Sequence, residues 1–462
     1  MFPPETYKQR RAGLRRQISS GVVLFAGNEP SPMNYADNCY PFRQDSSFLY
    51  YFGLDEPALA AVIDVDEGTE CLFGDDATVD DVIWTGPQTP LCEKAHQVGI
   101  TQTAPSRNLP SFLRKASDHG RPIHLLPPCR DDQILKIGRL LDIPPQAVGA
   151  RVSESLIRAV VAQRSVKAPE EIEQIELAMS VSHQMQVTAM KTARPGVVER
   201  EVVGVMAGIA RSRGVRFAFE PIFSIHGETL HNPFHNNVMK AGDVAVNDSG
   251  AESPLRYASD VTRTIPVGGR FTQNQREVYS IVLNAQEAAI AAIRPGVEFR
   301  DIHRLACLRL VAGLKELGLT KGDPAEAVAA GAHTLFFQCG LGHMMGLDVH
   351  DMEGLGEDYV GYTDTIRRNP AFGWRSLRLA KAVEPGHVVT VEPGIYLIPT
   401  LIDRWKAERK CEAFINYDKV ETYRDFGGVR IEDDVLVTDT GARVLGPPIP
   451  KTIAEVETLA SA

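Results

Sequence analysis

The sequence predicts an α/β protein of two domains, the second built from an internal repeat about a pseudo-twofold axis. Three observations carry this. The chain has 462 residues, room for two or three domains at roughly 150 residues each. Its composition, 44% hydrophobic and 23% charged, is that of a globular chain and excludes collagen-like, coiled-coil and disordered classes. A pattern of helix, turn, helix and acid-bearing strands then occurs twice in the C-terminal two-thirds.

Residues 1 to about 145 mix strands and helices. Ala60–Asp66 reads as a strand and Glu67-Gly68 as the turn after it. Pro127-Pro128 and Pro144-Pro145 punctuate the end of this region. Ala168-Pro169-Glu170-Glu171 is a helix start, with proline in the first turn and acids favoured by the helix dipole; Ile172, Ile175 and Met179 continue at helical spacing. The boundary therefore falls between 150 and 168. This gives an N-terminal mixed α/β domain over 1–160 and a C-terminal domain over 161–462.

The repeat is the most informative feature. One helix ends in Arg194-Pro195-Gly196-Val197 and another in Arg294-Pro295-Gly296-Val297, each followed by a second helix. Downstream, Gly242–Asp248 and Gly386–Glu392 are valine-alternating strands with an acid six residues after the glycine. Each half then carries a further acid-bearing strand, Tyr257–Val267 with Asp260 and Gly428–Val437 with Glu432. Duplicated units packed about a twofold bring matching side chains together, so Asp248, Asp260, Glu392 and Glu432 should converge. Four converging carboxylates repel, and burying even one without a partner is costly. No equivalent cluster of lysine and arginine accompanies them, so two divalent cations are the expected compensation.

Gly340–Asp351 (GLGHMMGLDVHD) holds His343 and His350 in a glycine-rich segment suited to close backbone approach, and GETLHNPFHNN upstream holds His231 and His235. One histidine with four acids makes an oxygen-rich site for manganese, with cobalt, zinc and iron as the other candidates. Such a pair of ions activates water toward a carbonyl, and the remaining histidines can donate to a developing oxyanion or move protons. His124, His183, His303 and His333 lack such context and are read as structural. No nucleophile elbow, phosphate-binding loop or HExxH helix is present, and Cys339 reads as a buried thiol.

A net charge of −10 argues against nucleic acid as a partner. No apolar run is long enough to span a bilayer. The first residues lack the charge-then-apolar pattern of a secretion signal. Seven cysteines without a CxxC pair point to a reducing compartment, and a cytoplasmic location is expected.

These motifs resemble the proline-specific metallopeptidases of pita-bread fold, the group that holds Xaa-Pro dipeptidase (prolidase) and aminopeptidase P. The resemblance spans nearly the whole chain. It implies an accessory N-terminal domain, recognisable in Pro41–Pro57, and a C-terminal pita-bread domain. It also implies metal ligands at Asp248 (VNDSG), Asp260 (YASDVTRT), His343 (GLGHMMG), Glu392 (TVEPGIY) and Glu432 (GGVRIEDD). His231 and His350 take the positions of substrate-side histidines and Arg430 that of an arginine beside the second glutamate. Arg378, in WRSLRLAK, resembles the prolidase arginine that grips the carboxylate of a dipeptide, although Arg375, Arg378 and Lys381 also have the spacing of a solvated basic helix face. Three departures stand out. The Asp248–Asp260 interval is one residue longer than is usual in the family, implying a bulged or longer turn near Ser253-Pro254. Cys339 replaces a histidine. Ser47 stands where aminopeptidase P carries an aspartate. The expected activity is hydrolysis of the N-terminal Xaa-Pro bond of a small peptide with proline second. The dipeptidase is favoured, aminopeptidase P is the alternative, and a non-catalytic peptide-binding protein is remote. The resemblance further implies a homodimer.

Overall fold

The computed structural model describes residues 1–462. The chain divides into two compact units, Met1–Arg164 with Met352–Tyr359, and Ser165–Asp351 with Val360–Ala462. The short excursion at 352–359 has no compositional signal.

In the first unit Ala60–Asp64 lies at the centre of a five-stranded sheet, antiparallel to Val22–Ala26, which in turn pairs in parallel with the edge strand Ile123–His124. Thr69–Phe73 pairs with Ala60–Asp64 through the turn at Gly68, whose φ of 67° suits glycine. Val22, Leu24, Val62 and Phe73 pack against Leu109, Leu113 and Ile137 of the flanking helices. The helix Ser46–Phe52 is wholly buried, and Ser47 accepts a hydrogen bond from Arg164 Nη1 at 3.0 Å.

The second unit displays the repeat in its hydrogen bonding. Pro169–Thr192 is followed by Glu199–Ser212, and Gln273–Ala292 by Phe299–Glu316. Between the helices of each pair the RPG glycine has a positive φ, 90° at Gly196 and 84° at Gly296. Its N–H donates to the chain leading into that half's first acid-bearing strand: Gly196 N–H to Met239 O, 2.8 Å, and Gly296 N–H to Val383 O, 2.9 Å. Proline before the glycine cannot continue a helix, and glycine relieves the left-handed turn, so one tripeptide reverses the chain the same way twice.

Each half then builds a three-stranded sheet. Val244–Asp248 pairs antiparallel with Thr262–Pro266 and with Ile222–Ser224. Val388–Val391 pairs antiparallel with Asp433–Val437, which also pairs with Ala442–Val444. Two expected strands are shorter than the sequence suggests. Tyr257–Asp260 lies ahead of the strand because Ser253 N–H bonds Tyr257 O at 2.7 Å and closes a turn there, with Arg256 at a φ of 71°. The run Gly428–Val437 breaks in two: Gly428–Arg430 pairs with Gly394–Tyr396, and Asp433–Val437 joins the other sheet. At the break Glu432 N–H donates to Thr262 O, 3.1 Å, which ties one half of the repeat to the other.

Candidate metal centre

Asp248 closes its strand, opposite Thr262. Glu392 follows the strand Val388–Val391, whose Val391 faces Asp433, the neighbour of Glu432. Asp260 and Glu432 lie in the irregular stretches just ahead of the strands Thr262–Pro266 and Asp433–Val437. His343 reaches the same place from the glycine-rich segment, because Gly342 packs against the Val388–Val391 strand. A Cβ on Gly342 would lie 2.0 Å from the Thr390 carbonyl oxygen. His343 N–H donates to Thr390 Oγ1 at 3.1 Å, and Thr390 N–H to His343 O at 3.0 Å. Ligand atoms of Asp260, His343 and Glu432 all lie within 4.8 Å of one another.

The orientation of His343 is decisive for the chemistry. Its Nδ1 is 3.0 Å from the carbonyl oxygen of Met344, which can only accept, so Nδ1 carries the proton. Burial lowers the imidazole to a pKa of about 4, so the ring is neutral. Its Nε2 lone pair then faces Asp260 Oδ2 at 3.5 Å and Glu392 Oε1 at 3.7 Å. An acceptor aimed at two acceptors is unfavourable unless a cation or protons lie between them.

The acids report the same deficit of positive charge. Burial holds Asp260 well above the usual carboxylate range, and the charges of Glu432 and Asp248 add to it. Glu432 is raised by burial, then by Glu392 and Asp248. Glu392 is raised by burial to about 7, against the opposing pull of Arg430. Asp248 Oδ1 and Asp260 Oδ1 are buried without a hydrogen-bond partner. Arg430 supplies part of the compensation: its Nη2 bonds Asp248 Oδ2 at 2.6 Å, Nη1 bonds Tyr396 Oη at 2.9 Å and Nε bonds Thr262 Oγ1 at 3.1 Å. Four carboxylates, orphaned carboxylate oxygens and one neutral imidazole form a donor set that fits hard or borderline divalent cations.

The acids open into a cavity of about 570 Å³, also lined by His231, His350, Arg378, Arg430 and Cys339. The His350 ring lies edge-on to His343, centroids 4.3 Å apart. Partial burial, then Arg430, lowers the pKa of His231. His235 instead bonds the Pro221 carbonyl through Nε2 at 2.9 Å. Arg378 follows a single short turn, Trp374–Ser376, so the spacing shared with Arg375 and Lys381 marks no helix face. Cys339 is raised to about 12 by burial, a thiol rather than a thiolate.

Several supporting groups carried no sequence signal. Thr262 Oγ1 donates to Glu432 Oε2 at 2.6 Å. Asp434 Oδ2 accepts from Asp260 N–H at 3.0 Å. Lys167 Nζ meets Asp351 Oδ2 at 2.9 Å, both side chains 1% exposed, which anchors the end of the segment bearing His343 and His350. Threonines and acids adjoining the candidate ligands were the available clue.

The chain matches two family profiles: metallopeptidase family M24 over residues 173–439 and the aminopeptidase P N-terminal domain over 7–124. It is 30% identical to the Xaa-Pro dipeptidase of Homo sapiens, over 95% of this chain and 88% of that protein. It is 31% identical to a protein of Ajellomyces capsulatus (strain H143) named probable Xaa-Pro aminopeptidase PEPP, over 100% of this chain and 97% of the relative. Among solved structures it is similar to zinc-substituted Escherichia coli aminopeptidase P in complex with product (TM-score 0.81, 28% identity, 99% of this chain and 98% of that one). It is also similar to Pseudomonas aeruginosa aminopeptidase PepP (TM-score 0.82, 27% identity, 100% of this chain and 98% of that one).

Proposed function

Since the chain belongs to metallopeptidase family M24, with an aminopeptidase P-type N-terminal domain and a C-terminal pita-bread domain, we propose that it hydrolyses the N-terminal Xaa-Pro bond of short peptides and acts chiefly as an Xaa-Pro dipeptidase. The observation that carries the metal-dependent reading is the neutral His343, its Nε2 lone pair turned toward Asp260 and Glu392. On this reading Asp248, Asp260, His343, Glu392 and Glu432 hold two divalent ions, manganese being the expected metal.

When bound, the metals supply an activated water and a Lewis acid for the scissile carbonyl. The chain's own residues do the rest. Arg430 fixes Asp248 and, through Thr262, the carboxylate of Glu432. His231 and His350 line the cavity where they can donate to the developing oxyanion or return a proton to the departing proline nitrogen. A bond to proline lacks the amide N–H and has a fixed φ, which makes a dedicated cavity useful.

Arg378 supports the dipeptidase. It lies in the cavity wall, and its charge acts on Glu392, His343 and His231. A guanidinium there can take the free carboxylate of a dipeptide through two parallel hydrogen bonds, whereas a longer peptide places an amide at that point. The similarity to two bacterial aminopeptidases P favours the second reading, action on longer peptides. Hydrolysis of Gly-Pro against Gly-Pro-Pro in added manganese separates them: the dipeptide is the better substrate on the first reading and the tripeptide on the second. The same reading carries a cytoplasmic homodimer, checked by light scattering and cell fractionation.

A further inference from the structure

Outside the acid centre the second unit buries another set of metal-binding side chains. His303 and Cys307 lie one turn apart on the helix Phe299–Glu316, and His333 sits in the short turn Ala332–Leu335. All three are buried, at 1%, 0% and 2% exposure. One ligand atom from each lies within 4.8 Å of the other two. Cys307 Sγ is 3.5 Å from His303 Nε2, a separation that sulfur and nitrogen bound to one small ion also adopt.

That contact is itself a hydrogen bond, but hydrogen bonding accounts for only part of the arrangement. Buried imidazoles are expected to have partners, yet Nδ1 of both His303 and His333 has none. The surroundings are aromatic: the Trp374 ring stands edge-on to both histidines, at 5.0 and 5.8 Å, and Phe337 lies 5.6 Å from His303. The cluster itself contains no carboxylate, so it is unsuited to the hard cations that the acid centre fits.

We infer that His303, Cys307 and His333 form a second, thiophilic metal site, built for a soft d10 cation and best matched to Cu(I). The charges decide the ion. One thiolate and two neutral imidazoles neutralise a monovalent cation in an apolar pocket, and three ligands complete its shell without water. A zinc ion would keep a net positive charge there and need a fourth ligand. On binding, the Cys307 thiol loses its proton to solvent and sulfur donates to the ion, with no redox change. The cluster lies near the catalytic cavity: Cys339 lines that cavity and is an electrostatic neighbour of Cys307. Occupation would staple the helix to the turn that begins the chain segment leading to His343, using none of the acid-centre residues.

The test gives the full-length chain one equivalent of Cu(I) without oxygen, in competition with bathocuproine disulfonate, beside Cys307→Ser and His303→Gln. The expected result is that the parent retains one more Cu(I) per chain than either variant, the remaining cysteines titrating equally in all three. X-ray absorption of the parent complex should show one sulfur and two nitrogens around copper. That second measurement needs no variant and stands if a substitution prevents folding. Equal retention in parent and variants, copper coordinated by sulfur alone, or retention of Zn(II) in preference to Cu(I) would each overturn the proposal.

Discussion

Removing the divalent ions should invert the pH dependence of stability that carboxylates usually give. Consider Glu392 in metal-stripped protein. Burial raises its pKa from an ordinary 4.5 to about 7 in the folded chain. Its contribution is therefore fully present below the unfolded value and is lost as pH rises through about 7. At about 1.4 kcal/mol for each pH unit between the two values, the whole effect is roughly 3 kcal/mol, most of which falls between pH 5 and pH 8. Asp260 and Glu432 are shifted in the same direction and add to it. The assay is calorimetric melting of chelator-treated protein at the two pH values, beside Glu392→Gln, which cannot ionise. The wild-type transition should fall by roughly 3 °C relative to Glu392→Gln on going to pH 8, and manganese should restore it. A metal-stripped wild type that gains stability over Glu392→Gln as pH rises would refute the claim that these acids are crowded and unpaired.

The other predictions concern the cavity and its supports. Ala at His231 or His350 should lower kcat about 10²–10⁴-fold while metal content stays near normal; loss of metal from His350→Ala would assign it to metal binding instead. Arg378→Ala should raise KM for Gly-Pro by a factor matching about 1.5–3 kcal/mol and leave tripeptide hydrolysis unchanged; equal effects on both would remove its role as a carboxylate reader. Lys167→Met takes the cation from the buried Asp351 and should destabilise the chain by about 3–5 kcal/mol in denaturant titration. Gly342→Ala must push Thr390 and His343 apart, so it should lower both melting temperature and manganese affinity; normal values for both would show that the backbone can yield there.

Much of the fold and of the candidate site was legible because the repeat writes itself in local chemistry. Arg194-Pro195-Gly196 and Arg294-Pro295-Gly296 turn the chain identically, and a glycine-started valine strand announces each first acid. The second strands were over-read, since valine alternation continues through Ile431 and Glu432 while the backbone changes sheets there. That switch depends on Glu432 N–H meeting Thr262 O, a contact between distant segments. The direction of His343 was hidden for the same reason: it follows from the Met344 carbonyl and from Thr390 across the strand. Nothing in the spacing of His303 and His333 announces their meeting, because thirty residues of helix and loop separate them and packing alone brings them to Cys307.

The central claim is that this acid cluster works as a divalent-metal centre for Xaa-Pro hydrolysis. Its most direct test is Gly-Pro turnover measured as manganese is added back to chelator-treated protein, with bound metal counted by elemental analysis. Turnover should be absent without metal and reach its plateau at two manganese ions per chain, with Asp260→Asn reaching neither the stoichiometry nor the rate. Full turnover in metal-free protein, or an undiminished rate in Asp260→Asn, would contradict the account.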